Sequence, residues 1–351
     1  MKPKTATNQK KDSVVQIYDK IFKRILTLSN VAVINFVNGI FGKNFPTDSK
    51  LTYNWTENVK NSLEKTIADT IITVSPPAGR GGNTEKFHVE VQINSDSTIV
   101  LRVFDYGYQD ALKYKKVEGD KIILDFPQSK VIFLEHNTNT PDRVILELNF
   151  KEQGAFEYNI PVMKFLSYSI DELNDQHLVI LLPLYLLKLR REIEKEQSHE
   201  NAMKLKLLIN DGIIKSIEDN EQAGHITHDD TVILIGLLEK LYNHLYGGIK
   251  RFKEEGVKDM IAEKLILKTD RIIYEKDREI HIAEEKAKIS EEKAKMSEEK
   301  AKMSEEKAKM SEEKAKLKIA KKMLDSGMTV EQIQNLTELP LSKIKGLKKQ
   351  K

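Results

Sequence analysis

The feature that most limits how this chain can fold is a long stretch without helix breakers. Glycine is absent from residues 257–326, and proline is absent between Pro183 and Pro340. Because these two residues are the ones that most disfavour a helix interior, residues 257–326 are predicted to form one long helix. At about 1.5 Å per residue, such a helix would be on the order of 100 Å long if unbroken.

A seven-residue repeat occupies the middle of this stretch, from Ala283 to Leu317. It reads AEEKAKI, then SEEKAKM three times, then SEEKAKL. Each unit has one large apolar residue with an alanine two places earlier, whereas a coiled-coil seam needs apolar residues three and four apart. Each unit also supplies a glutamate four residues before a lysine, such as Glu291–Lys295 and Glu298–Lys302. A solvated single helix acting as a stiff spacer is favoured, and a weak coiled coil is the alternative.

The rest of the chain is expected to divide into separate parts. Residues 1–12 are predicted to be a disordered tail, residues 13–165 an α/β domain and residues 166–256 an all-α region. After the long charged helix, residues 327–351 are predicted to form a C-terminal helical hairpin. The fold class is therefore α/β, followed by an all-α region and the long helix.

The C-terminal hairpin is predicted from its capping signals. Gly327 ends the long helix, Thr329 with Gln332 forms a capping box for the next helix, and Ser342 caps the last one. Two short helices around a tight turn occur in DNA-binding helix-turn-helix units and in hairpins that bind a partner protein. Without a clearly basic recognition helix, the second interpretation is favoured.

Composition excludes several kinds of site. The chain has no cysteine, which rules out disulfides, thiolate zinc sites and cysteine nucleophiles. A net charge of +3 neither establishes nor excludes nucleic-acid binding. The first residues lack the apolar core of a signal peptide, and the most apolar run, Leu178–Leu189, is too short to span a bilayer. A cytoplasmic protein with no membrane contact is predicted.

A strand hairpin in the α/β domain carries the candidate chemistry. Its first strand is TIADTIITV, its turn is SPPAGRGGN and its second strand is EKFHVEVQIN. In the second strand, apolar residues alternate with His88, Glu90 and Gln92, which therefore share one face. One interpretation is a sheet with a solvent-facing side. The other is a metal site.

A magnesium site needs hard oxygen ligands, usually one or two carboxylates with water and a substrate phosphate. Asp69 and Glu90 lie on the two strands of the predicted hairpin, and Gln92 shares the face of Glu90. A third polar group in that place can orient an attacking water. The pattern Asp-x20-Glu-x-Gln is common by chance, so the spacing leaves both interpretations open.

Several stretches, taken in order, resemble the bacterial recombination-promoting nuclease/transposase family of the PD-(D/E)XK nuclease superfamily. They are YDKIFKRIL, NVAVINFVNGIFG, ADTIITV with FHVEVQ, LRVFDYGYQDAL, GDKIILDFPQSKVIFLEHN, IPVMKFLSYSIDELNDQHLVILLPLYLLKLRREI and MLDSGMTVEQIQNLTEL. The resemblance covers roughly residues 14–190 and the C-terminal end. It implies a restriction-endonuclease-like core and a DNA endonuclease, linked to recombination or mobile elements, that depends on Mg²⁺ or Mn²⁺.

The resemblance also implies roles for particular residues. Asp69 and Glu90 would be the metal ligands. Gln92 stands where the superfamily has a lysine, and because a neutral amide can only position other groups, the general base stays unassigned. Arg102 would be a catalytic residue that contacts a phosphate or the transition state, with Tyr106 supporting it from one helical turn away.

Lys23 is a weaker candidate for DNA contact, and the alternative is an i,i+4 surface pair with Asp19 on one helix. Arg102 and Tyr106 have the same alternative of a helix surface pair. The segment HITHDD, residues 225–230, is read as a helix start, with metal binding as the less favoured interpretation. The Gly-rich AGRGGN lacks the Gly-Lys-Ser/Thr of a phosphate-binding loop and is read as a turn.

DNA is the expected partner, and no small-molecule cofactor is expected. Cutting both strands needs two sites, and a homodimer is one way to supply them. A non-catalytic DNA-binding or assembly protein that keeps the nuclease fold is the alternative, and a structural coiled-coil protein is a third reading.

Overall fold

The computed structural model describes residues 17–55, 70–96 and 98–348. The chain divides into two compact units, one ending at Ile272 and the other beginning at Ile273. The predicted disordered tail, residues 1–12, and the predicted metal ligand Asp69 lie outside the described residues.

The first part of the first unit combines helices with a six-stranded mixed sheet. Its elements are α1 (Ile17–Ile25), α2 (Asn30–Phe41), β1 (Lys50–Trp55), β2 (Thr70–Ser75), β3 (Glu85–Gln92), α3 (Ile99–Lys113), β4 (Lys116–Glu118), β5 (Lys121–Ile123), β6 (Gln128–Phe133), β7 (Arg143–Phe150) and β8 (Gly154–Lys164). The strand order is β1-β2-β3-β6-β8-β7, and β4 and β5 form a separate hairpin. β2 runs antiparallel to both of its neighbours, β1 and β3. β3, β6 and β8 run parallel, and β7 returns antiparallel to β8.

Apolar residues at helical spacing in VVQIYDKIFKRILTL, NVAVINFVNGIFG and STIVLRVFDYGYQDALKYKK predict three helices, and α1, α2 and α3 confirm them. The predicted hairpin of β2 and β3 is also confirmed, whereas β1, β4, β5 and β8 were not predicted. β8 contains Pro161, and proline disfavours a strand interior because it has no N–H to donate. The parallel ladder between β8 and β6 begins at Val162, directly after this proline. Pro161 therefore sits in the strand at a point where β6 does not yet pair with it.

The second part of the first unit is helical, as predicted. It contains a 3₁₀ turn at Phe165–Ser167, α4 (Ile170–Asp175), a 3₁₀ segment at Val179–Leu189, α5 (Arg190–Lys195), α6 (His199–Leu207), a π segment at Leu208–Ile214, α7 (Lys215–Gln222), α8 (His228–Tyr246) and α9 (Lys250–Glu254). One hydrophobic core joins these helices to the sheet, because Phe87 and Val89 of β3 belong to the same cluster as Leu182 and Leu238.

The predicted long helix is confirmed as α10, Val257–Asp325. Within the second unit, the predicted i,i+4 pairs of the four later repeat units are present, with N–O distances of 2.9 Å for Lys295–Glu291 and 2.8 Å for Lys302–Glu298. Four of the five large apolar residues of the repeat are 47–60% exposed, and they are Ile289, Met296, Met303 and Met310. The repeat therefore forms a solvated helical surface in this chain.

The C-terminal helices are α11 (Val330–Thr337) and α12 (Leu341–Lys348). Gly327 has a φ of 84°, and the capping box of Thr329 and Gln332 is present. The prediction that Ser342 caps the last helix is wrong, because α12 begins at Leu341. The carbonyl of Pro340 accepts hydrogen bonds from the N–H groups of Lys343 and Ile344 and so starts the helix one residue earlier.

In the described part of the chain, no single helix has the length and apolarity needed to cross a membrane. Only α1 and α2 taken together, bent by 109°, meet that test by length and composition.

Candidate functional site

The polar face of β3 is buried at His88 and Glu90, which contradicts the interpretation of a solvent-facing side. His88 is 0% exposed and Glu90 is 2% exposed. The cause is α3, which covers this face, while Phe87 and Val89 on the opposite face enter the main core. Burial of a carboxylate is costly unless it is paired, and the contacts of Glu90 therefore decide what this face can do.

β3 and α3 are joined here by a row of three side-chain contacts, which we call the β3–α3 ladder. Lys86 Nζ lies 2.7 Å from Asp110 Oδ2, the rings of His88 and Tyr106 lie 5.9 Å apart edge to face, and Glu90 pairs with Arg102. Two residues along a strand span about 6.6 Å, and four residues along a helix span about 6 Å. This near match of spacing lets every second residue of β3 meet every fourth residue of α3.

Glu90 is bound through one of its two oxygens. Gln92 Nε2 donates to Glu90 Oε1 at 2.5 Å, and Arg102 Nη2 donates to the same oxygen. Glu90 Oε2 is buried and has no hydrogen-bond partner within residues 17–55, 70–96 and 98–348. A buried carboxylate oxygen without a donor is unusual, and a cation or a water molecule would satisfy it.

The second predicted ligand, Asp69, lies outside the described residues. It directly precedes Thr70, and Thr70 pairs with Val89, the neighbour of Glu90 in β3. Among the described residues, no group of three or more acidic, His or Cys side chains could hold a metal ion. Glu90 Oε2 suits a hard cation such as Mg²⁺, which needs one or two carboxylates with water making up the rest.

Arg102 and Tyr106 lie on the same face of α3, as predicted from their spacing, and that face contacts β3 rather than solvent alone. The Arg102 side chain is 36% exposed, so it links buried Glu90 to the surface. Tyr106 is 5% exposed and packs on His88. The tyrosine thus holds α3 against β3 next to the Arg102 contact.

Lys23 is not brought into this ladder. Its Nζ lies 3.5 Å from Asp19 within α1, which is the predicted i,i+4 pair. The apolar side of α1 belongs to the core on the other face of the sheet, together with Phe87. Lys23 therefore lies on an element that packs against the opposite side of the sheet from Arg102.

A second charged cluster, not predicted from the sequence, follows the carboxyl end of β6. Glu135 is 7% exposed and pairs with Arg190 at 3.1 Å and Arg191 at 3.5 Å. Burial lowers the pKa of the adjacent His136, and the nearby positive charges, which include Lys164, lower it further. The imidazole is therefore neutral at physiological pH.

The segment HITHDD is a helix start, as favoured from the sequence. Thr227 caps α8, and Asp230 completes a capping box while also accepting from Ser29 N at 2.8 Å. Burial lowers the pKa of His225, and the adjacent His177, with ring centroids 4.5 Å apart, lowers it further. These contacts link α8 to the neighbouring elements. Among the described residues, no group of side chains here could hold a metal ion.

Sequence reasoning missed Lys86 and Asp110, which close the other end of the ladder. The signal was present as two periodicities, with polar residues at every second position of β3 and at every fourth position of α3. The sequence does not show that α3 crosses that face of β3. The polar positions of the strand are therefore equally consistent with exposure to solvent.

Comparisons with protein-family models, with curated proteins and with solved structures gave no match to this chain. The family resemblance stated from the sequence stays a prediction.

Proposed function

We propose that this chain is a metal-dependent DNA endonuclease with a restriction-endonuclease-like core, acting in recombination or on mobile elements. The observation that carries the proposal is the buried carboxylate of Glu90, whose Oε2 has no partner in the described residues. Strands β1, β2 and β3, helix α3 and the parallel strand β6 form the part of the fold that we assign to this core.

The predicted residues other than Lys23 each have a role in the proposed site. Glu90, together with Asp69, would hold Mg²⁺ or Mn²⁺. A divalent cation in such a site supplies Lewis acidity toward a phosphate oxygen and toward water. Gln92 already donates to Glu90, which fixes the orientation of the carboxylate.

Arg102 is the residue best placed to meet a phosphate. Its guanidinium pairs with Glu90, and 36% of its side chain is exposed to solvent. Because guanidinium groups bind phosphate oxygens strongly, Arg102 can exchange its carboxylate partner for a phosphate when DNA is present. Tyr106 contributes by keeping α3 packed on His88.

One observation favours the alternative of a non-catalytic DNA-binding or assembly protein. The charge of Glu90 is already compensated by Arg102. This is expected if the ion pair only holds α3 against β3 and binds no metal. The two proposals differ in whether cleavage requires both a divalent cation and Glu90.

The test is nicking of supercoiled plasmid by the full chain in EDTA, Mg²⁺ or Mn²⁺. Wild-type protein is expected to nick only with a divalent cation. Glu90→Ala and Asp69→Asn are expected to lose at least about 100-fold of that rate, since each removes a proposed ligand.

A matched control is Glu221→Gln, which alters another largely buried, ion-paired carboxylate, 14% exposed, in α7. This variant should nick at the wild-type rate. Nicking that survives EDTA, or that Glu90→Ala retains, would refute the proposal. No nicking, with DNA binding retained, would establish the non-catalytic alternative.

A further inference from the structure

Strand β7 forms an open edge of the sheet. It is last in the strand order, and within the described residues it pairs only with β8. The N–H of Val162 donates to the carbonyl of Asp142 at 3.0 Å, so the even-numbered residues of this strand are the ones hydrogen-bonded to β8. Because the backbone N–H and C=O groups alternate in direction along a strand, those of the odd-numbered residues of β7 point away from β8. These residues are Arg143, Ile145, Glu147 and Asn149.

The outward residue Glu147 carries a charge that no cation compensates within the described part of the chain. Glu147 lies directly opposite Glu157 of β8, an arrangement that destabilises a sheet. Among the described residues, amides alone donate to the two carboxylates: Asn149 to Glu147 at 2.7 Å, and Asn159 to Glu157 at 3.4 Å. No salt bridge to either glutamate, and none to Arg143, occurs in the described part of the chain, where all three are exposed.

Between the arginine and the glutamate lies Ile145, which is 47% exposed. Exposed, unpaired edge strands are normally protected by charges, proline or a covering element. β7 contains no proline, and its one outward cation is four residues from its one outward anion. An antiparallel strand of the same sequence would place these opposite charges against each other.

We propose that β7 is the interface with a second copy of this chain, paired antiparallel about a two-fold axis at Ile145. In this register Arg143 of each copy faces Glu147 of the other, and the two Ile145 side chains meet at the axis. Val144 would then face Leu146 of the second copy, and both residues belong to the apolar cluster on that side of the sheet. In each copy, the guanidinium of Arg143 from the other copy thus provides the positive charge that the Glu147–Glu157 pair lacks.

Other symmetric registers satisfy the charges less well. A two-fold axis at Leu146 places Arg143 opposite Asn149, and an axis at Glu147 places Glu147 against itself. Only the axis at Ile145 matches the outward backbone groups and also pairs both charges. The inference does not depend on the proposed cleavage activity, although a dimer would supply the two sites that cutting both DNA strands needs.

The test is the dissociation constant of the full-length dimer, measured by sedimentation equilibrium. Arg143→Glu and Glu147→Arg are each expected to weaken the wild-type dimer by about tenfold or more, because each places like charges opposite one another twice. The double variant Arg143→Glu/Glu147→Arg should recover the wild-type dimer, since it restores both pairs with reversed polarity. Lys250→Glu, at a 91% exposed lysine of α9, is the control and should change nothing.

Recovery by the double variant would be specific to this register, because a general effect of charge on folding would not be reversed. Three results would overturn the proposal. These are a wild-type protein that stays monomeric at all concentrations, single variants that dimerise as well as wild type, and a double variant no better than the single ones.

Discussion

Arg102→Met is expected to lower the free energy of unfolding of the first unit by about 3 kcal/mol, because it leaves a buried carboxylate without its cation. Glu90 is 2% exposed, so water cannot replace the lost guanidinium readily. The figure is at the lower end of the usual range because Arg102 itself is 36% exposed. The measurement is urea unfolding followed by the fluorescence of the single tryptophan, Trp55, which lies in β1 of the first unit.

The double variant Glu90→Gln/Arg102→Met separates pairing from packing. Removing both charges takes away the uncompensated carboxylate, so this variant should lie within about 1 kcal/mol of wild type. Arg80→Met is the control, since its pair with Asp48 is more than half exposed on both sides, at 61% and 57%, and should be nearly neutral. If the loss in Arg102→Met is not recovered in the double variant, Glu90 is not held by the charge of Arg102.

Phe87→Ala is expected to cost about 3–5 kcal/mol, since it opens a cavity on the core face of β3. Phe87 is fully buried, and its ring lies 4.7 Å from that of Phe41 and 5.7 Å from that of Phe45. The same urea experiment measures the loss. Phe156→Ala removes the same side chain at a 61% exposed position of β8 and should change stability by less than about 0.5 kcal/mol.

A comparable loss in both phenylalanine variants would contradict the placement of β3. The same placement puts Glu90 and His88 under α3, because successive side chains of a strand point to opposite faces. The stability of the apolar face and the chemistry of the polar face are thus set by one strand.

Local periodicity predicted much of this fold. The spacing of apolar residues predicted α1, α2 and α3, the absence of glycine and proline predicted the long helix, and the turn cluster predicted the hairpin of β2 and β3. These features depend on contacts between residues close in sequence, which a single sequence displays directly. The capping box of Thr329 and Gln332 was predictable for the same reason.

The burial of the polar face was not predictable in that way. It depends on α3 crossing β3, which brings Asp110 to Lys86 and Arg102 to Glu90. Alternating polar residues look the same whether solvent or a helix covers them. β8 was not predicted, and its Pro161 is tolerated because the ladder with β6 begins only at Val162.

The measurement that tests the central claim most directly is titration of the full chain with Mn²⁺, followed by electron paramagnetic resonance of the unbound ion. If Glu90 Oε2 presents a cation site, wild-type protein binds Mn²⁺ at a site that Glu90→Gln weakens by at least about tenfold. Glu221→Gln, which alters a largely buried carboxylate elsewhere, should bind as wild type does. Equal Mn²⁺ binding by wild type and Glu90→Gln would contradict the account and leave the Glu90–Arg102 pair as a packing contact between β3 and α3.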